Sequence, residues 1–232
     1  MELPRGNKGS LIASRRRILE RLLSERSAQT DSELDRFTPM QVINSLFSFL
    51  YHVDTSIKRK AVSMMGATVA ELAEDDMESG RNVIRRLMWN LNDESGSIGW
   101  GSPEAMGEIM ARHEKLAMEY GHILASYTLP EGNYLENEII QRGLLWALLR
   151  VYRTRPELFR RLNPLLLPYL ESCDPAVRGL AAELLGEIRE EKAYHSLSGL
   201  LEDGAEFENE MEGTTRTVKQ AAQEALAKIG NQ

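Results

Sequence analysis

The apolar positions of this 232-residue chain recur with two periods at once. Within short segments they fall three and four apart, the pattern of an amphipathic helix with one buried stripe. Across segments the whole arrangement repeats. Asp54, Ile57, Lys58, Ala61, Met64, Met65 and Gly66 return, 120 residues later and without a gap, as Asp174, Val177, Arg178, Ala181, Leu184, Leu185 and Gly186. With the β-branched residue as anchor, Ile57, Ile98, Ile140, Val177 and Val218 mark five units spaced by 41, 42, 37 and 41 residues. That period predicts a helical-repeat array, in which each unit buries its apolar face only against its neighbours.

Each unit reads as helix A, a turn and helix B. The first pairs residues 39–51 with 55–73, and Thr38 followed by Pro39 supplies a cap and a first-turn proline. The second places Val83, Ile84, Leu87, Met88 and Leu91 on helix A and begins helix B at Pro103, with Ser102 as its cap. The third pairs residues 113–126 with 138–152. The fourth runs from Pro156 through Pro164 and Pro168 to Leu170, where the prolines should break helix A, and continues from Pro175 to Glu190. The fifth pairs 193–202 with 215–229. Ahead of these, Leu11, Ile12, Ile18, Leu19, Leu22 and Leu23 form the stripe of a capping helix over residues 10–26.

The position three before each anchor is Asp54, Ser95, Asn137, Asp174 or Thr215. All are cap formers, whose side-chain oxygens can accept the orphan amide protons of helix B's first turn. Nine residues after the anchor stand Gly66, Gly107, Gly186 and Ala227, with Leu149 the exception. A small residue there lets neighbouring helices approach closely. Trp89 and Trp146 lie within apolar stripes and read as core.

The stretch Asp174-Pro175-Ala176-Val177-Arg178, followed by Ala181-Ala182 and Leu184-Leu185-Gly186-Glu187-Ile188, resembles HEAT repeats, specifically the short HEAT-like repeats named after phycobilisome lyases. The resemblance implies an all-α fold, a right-handed α-solenoid of about five antiparallel helix pairs with B helices on the concave side. Residues 1–37 then form a basic tail and capping helix, and residues 38–232 the repeat domain. Proteins of this kind include scaffolds, bilin lyases, a hydroxylase and DNA glycosylases, so the resemblance implies fold far more than function.

Composition narrows the classes. Apolar residues make up 42% of the chain and charged residues 27%, as in ordinary globular proteins. Cys173 is the single cysteine, which excludes an intrachain disulfide, and no secretory or membrane-spanning apolar run stands out, so the cytoplasm is the expected compartment. A formal charge of −7 argues against broad nucleic-acid binding. The charge is uneven: residues 1–60 carry eleven Lys or Arg against seven Asp or Glu, and residues 190–232 four against nine.

Candidate chemistry concentrates where units depart from their pattern. The turns 92–102, 127–137 and 203–214 are long. The last places Glu206, Glu208, Glu210 and Glu212 around Phe207 and reads as a solvated, partly disordered loop, or alternatively as an acidic lip for a basic partner or cation. The second unit's turn is glycine-rich and carries Asp93, Glu94 and Trp100 ahead of Glu104 and Glu108, which share a helix face. These five residues are the candidate ligand- or partner-binding site. Trp100 would stack on a ligand or plug a gap between units. With His113 and His122 nearby a metal is conceivable, but no His-x-x-x-His or Cys-x-x-Cys accompanies them. Lys58 and Arg178 occupy the repeat's own consensus position, where a structural ion pair between units is expected. Cys173 has no histidine beside it for nucleophilic catalysis.

With no catalytic constellation, the expected function is a non-enzymatic scaffold or adaptor that binds another protein through its concave face or long-turn edge. A lyase-like or cofactor-handling protein with its site at residues 92–108 is the alternative, and a metal-dependent enzyme the second. Neither nucleic acid nor membrane is an expected partner. The sequence names no cofactor and no oligomeric state.

Overall fold

The computed structural model describes residues 8–24, 36–92, 99–162 and 165–230. Helix α1 (Lys8–Ser24) is followed by five helix pairs. The first pair is α2 (Pro39–Leu46), extended by a 3-10 turn at Phe47–Phe49, and α3 (Thr55–Asp75). Then come α4 (Met77–Leu91) with α5 (Ser102–Arg112), and α6 (Glu114–Ser126) with α7 (Glu138–Thr154). The fourth pair is α8 (Pro156–Leu162) with α9 (Pro175–Glu187), and the fifth is α10 (Tyr194–Gly199) with α11 (Val218–Gly230). Between α10 and α11 stands an antiparallel hairpin of β1 (Glu206–Asn209) and β2 (Thr214–Thr217). The described chain is an all-α solenoid apart from this hairpin.

Caps explain most helix starts. Thr38 and Gln41 form a reciprocal capping box at α2. Asp54 accepts from the amides of Ser56 and Ile57, Asn137 from Ile139 and Ile140, and Asp174 from Ala176 and Val177. Ser95 lies outside the described residues. Thr215 is no cap: it pairs with Glu208 in the hairpin, and α11 begins three residues later at Val218, where Thr217 and Gln220 exchange hydrogen bonds. Nor does Ser102 cap α5. It is buried in the first turn, preceded by Gly101 at φ 76°, whose missing Cβ leaves room for the Leu50 carbonyl. As expected from its prolines, the fourth unit's first helix ends early, and the chain re-enters as a 3-10 turn at Leu167–Glu171.

The second helices of successive units, α3, α5, α7, α9 and α11, pack directly on one another, while the first helices touch sparsely. Closer spacing on one side bends a stack toward that side, so this row forms the inner wall. Glycine sets the spacing. A Cβ on Gly66 would meet Glu108 Cγ at 2.5 Å, one on Gly107 the Ala147 Cα at 2.6 Å, and one on Gly186 the Ala225 Cα at 2.5 Å. The core runs unbroken from Leu19 and Leu23 of α1 to Ile229 of α11. Trp146 is buried in it, but Trp89 is 65% exposed on α4, so the expectation of a core residue there is corrected. Its stripe is wide enough that Val83, Ile84, Leu87 and Leu91 seat the helix without it.

Two glycines give contrasting tests of this spacing. Gly107→Ala must push α5 and α7 apart and should lower the unfolding free energy by about 1–3 kcal/mol in urea titrations followed by circular dichroism. Gly199→Ala, where a Cβ meets nothing within 4 Å, should leave it unchanged or raise it by up to about 1 kcal/mol.

Candidate functional site

The inner wall carries charge at helical spacing. On α7, Arg142, Trp146, Arg150 and Arg153 follow one another at four, four and three residues and share a stripe. On α5, Glu104, Glu108 and Arg112 do the same. These rows interlock across the helix boundaries. Lys58 of α3 reaches Glu104 of α5 at 2.8 Å, Arg150 of α7 reaches Glu108 at 2.7 Å, and Arg112 closes on the same carboxylate at 2.7 Å. Further along, Arg153 of α7 binds Glu183 of α9 at 2.6 Å and Glu187 at 3.3 Å, and Lys228 of α11 meets Glu187 at 3.2 Å. The fourth unit's Arg178 and the third unit's Arg142 bind structural carboxylates, Asp203 at 2.7 Å and the cap Asp174.

Burial raises the stakes of this ladder. Glu104 and Glu108 are 3% and 5% exposed, and an isolated charge at such depth is costly unless paired. Burial alone would push the Lys58 ammonium down, but Glu104 and Glu210 outweigh it and hold it well above the ordinary lysine range. Burial pushes the Glu183 carboxyl up, against the pull of Arg153, and the nearby Glu212 adds to the rise. Asp174 goes the other way: burial opposes its charge, but Arg142 and the two capped amides win and lower it.

The acidic turn is not a solvated loop. It is the β-hairpin, and it folds onto the inner wall. Phe207 is buried against Gly179 of α9, where any Cβ would collide with its ring. The pairing Glu206 with Thr217 to Asn209 with Thr214 leaves Glu210, Met211, Glu212 and Gly213 as the tip, closed by hydrogen bonds from the Glu212 and Gly213 amides to the Asn209 carbonyl. Gly213 takes φ 67°, the left-handed conformation such a tip needs. From this tip Glu210 reaches Lys58 at 3.0 Å and Arg142 at 3.9 Å, while Glu212 reaches Arg153 at 2.7 Å. The last unit thereby touches the first. The pocket left between tip and wall holds only about 20 Å³, so the hairpin fills the groove rather than bridging it.

Of the expected site residues, Asp93 and Glu94 lie outside the described residues. Trp100 is half-buried, with its indole Nε1 enclosed and unpartnered among the described residues. Glu104 and Glu108 stand one turn apart on the inner wall, in the ladder. His113 caps α6 by accepting from the Leu116 amide, and His122 is exposed. No group of three or more His, Cys, Asp or Glu among the described residues is arranged to hold a metal ion. No helix among them is long and apolar enough to cross a membrane. The repeat pattern singles out neither Arg153 nor the hairpin's inward contacts; the alternation in Glu206 to Asn209 and the β-branched Thr214, Thr215 and Thr217 are the signals that could have revealed the strands.

No family model matches the chain. An uncharacterized protein of Archaeoglobus fulgidus is 39% identical over 66 residues, 28% of this chain, and the match spans only 33% of that relative's length. A designed armadillo repeat protein superposes with a TM-score of 0.59 at 16% identity, covering 97% of this chain and 95% of the other. A second, solved in complex with the peptide (KR)4, gives 0.60 at the same identity and coverage. An engineered protein gives 0.55 at 16% identity, covering 94% and 99%. At these identities the likeness establishes the helical-repeat fold.

The opposite shifts of Asp174 and Glu183 give opposite pH responses. The lowered pKa of Asp174 means stability that is present above the unfolded aspartate value and lost as pH falls through the folded one. Asp174→Asn should cost about 1–2 kcal/mol at neutral pH, a gap closing below about pH 4 in denaturant titrations. The raised pKa of Glu183 favours its neutral form in the fold. Its contribution is greatest below the unfolded glutamate value, about 4.3, and falls as pH rises through the folded one, a decline that Glu183→Gln should remove.

Proposed function

We propose that the protein is a non-enzymatic binding scaffold, a HEAT-like solenoid whose inner wall receives an extended segment of another protein. The observation that carries this reading is the wall's existing occupant. A polypeptide hairpin already lies across α9, α7 and α3, its side chains paired to cations from two different units. A surface that seats one extended strand has the width and the regularly spaced charges to seat another. The designed armadillo protein bound to (KR)4 offers a precedent for peptide binding by a similar fold. In this reading Glu104 and Glu108 fix the wall's cations in place. The resemblance of the fourth unit to the phycobilisome-lyase type of HEAT repeat, through Asp174 to Ile188, fits a scaffold of this kind.

Selection of a random extended-peptide library tests this. Peptides selected on the wild-type chain should lose at least about tenfold in affinity with Arg150→Ala or Arg153→Ala, and be indifferent to Trp89→Ala on the outer surface. Loss with Trp89→Ala and retention in the arginine variants would move the site to the outer helices. Recovery of no binding peptide would remove the reading.

A further inference from the structure

Building on that reading, we propose that the groove selects an acidic segment, and that residues 206–212 are a built-in stand-in for it which a partner must displace. Three independent observations converge here. The first is charge. Lys58 has Glu104 beside it and Arg142 has Asp174, yet both also pair with the hairpin's Glu210. Arg153 already holds Glu183 and Glu187, and takes Glu212 as a third carboxylate. The wall's cations thus have capacity beyond the carboxylates of the wall itself.

The second is spacing. Glu210 and Glu212 stand two residues apart in the hairpin's turn and engage cations at opposite ends of the Arg142 to Arg153 stripe and on α3, beyond the intervening α5. Closely spaced carboxylates are therefore the chemistry this wall reads, the reverse of a basic peptide such as (KR)4.

The third is imperfect fit. Glu104 Oε2 on the wall and Asn209 Nδ2 on the hairpin belong to residues that line the residual pocket, and both atoms are enclosed without a hydrogen-bond partner among the described residues. A buried acceptor and a buried donor left unsatisfied weaken a contact by the desolvation of each. An incoming strand that places an amide donor at Glu104 repairs what the hairpin leaves unmade. The hairpin's advantage is its tether, which holds it at high effective concentration, and a ligand in trans must overcome that.

The experiment uses a fluorescein-labelled peptide of residues 205–214 and two derivatives with its four glutamates replaced by glutamine or by lysine, titrated by fluorescence anisotropy. The receptors are the full chain, the full chain carrying Glu210→Gln and Glu212→Gln, and a chain with residues 205–216 replaced by a Gly-Ser linker. The double glutamine variant keeps Phe207 in its seat and guards against misfolding of the third. The acidic peptide should bind both altered chains at least about tenfold more tightly than the wild type and weaken with added salt, and the glutamine and lysine peptides should lose most of this affinity. Equal binding of all three peptides would overturn the acidic preference and leave the scaffold reading intact. Equal binding of the acidic peptide to wild-type and altered chains would place it on another surface and overturn the stand-in. No binding of the acidic peptide, while library-selected peptides still bind, would overturn the inference alone. Failure of both would remove the reading beneath it.

Discussion

Everything on the inner wall depends on how closely its helices approach. At Gly66, Gly107 and Gly186 one helix presents no side chain to the next, so backbone lies against backbone or against the stem of Glu108. That proximity brings glutamates and arginines of adjacent helices within hydrogen-bond reach, and it also removes them from water. Buried carboxylates tolerate this only in company. The pairing Lys58 to Glu104, Arg150 to Glu108 and Arg153 to Glu183 answers that need, each carboxylate taking its cation from the neighbouring helix. Leu149 breaks the small-residue rule between α7 and α9, and the junction there is spanned by Arg153 with two glutamates.

In the proposed reading the same residues make the wall a recognition surface. Their geometry is imposed by packing, so their positions are preorganised and little side-chain entropy is lost when a ligand arrives. Alternating sign along the ladder keeps net potential low. On that proposal selectivity comes from where the cations exceed their carboxylates, at the Lys58 and Arg142 end and at Arg153, rather than from the overall charge.

The solenoid was legible from sequence because its determinants are local. Asp54, Asn137 and Asp174 cap helices two and three residues away, and the small residue nine after the anchor acts at nearly every step of the stack. The hairpin was hidden for the opposite reason. Glu206, Glu208, Glu210 and Glu212 look like mutual repulsion along the chain, and the cations that neutralise two of them belong to α3 and α7, up to 152 residues away. Thr215 satisfied the cap pattern but was claimed by strand pairing with Glu208. Trp89 matched a stripe already filled by its neighbours. Glu104 and Glu108 were visible as a shared face; the arginine of α7 beside them was not.

The tip of the hairpin also changes how the molecule unfolds. An open solenoid is a string of nearest-neighbour couplings, and its ends fray independently of one another. The bond from Glu210 to Lys58 joins the fifth unit to the first, which turns the string into a closed circuit. Loss of either end then removes a contact from the other, so melting is more cooperative than five stacked units alone would give. In folding the order reverses. The clasp closes across a loop of 152 residues, after the intervening units have already brought its two halves together.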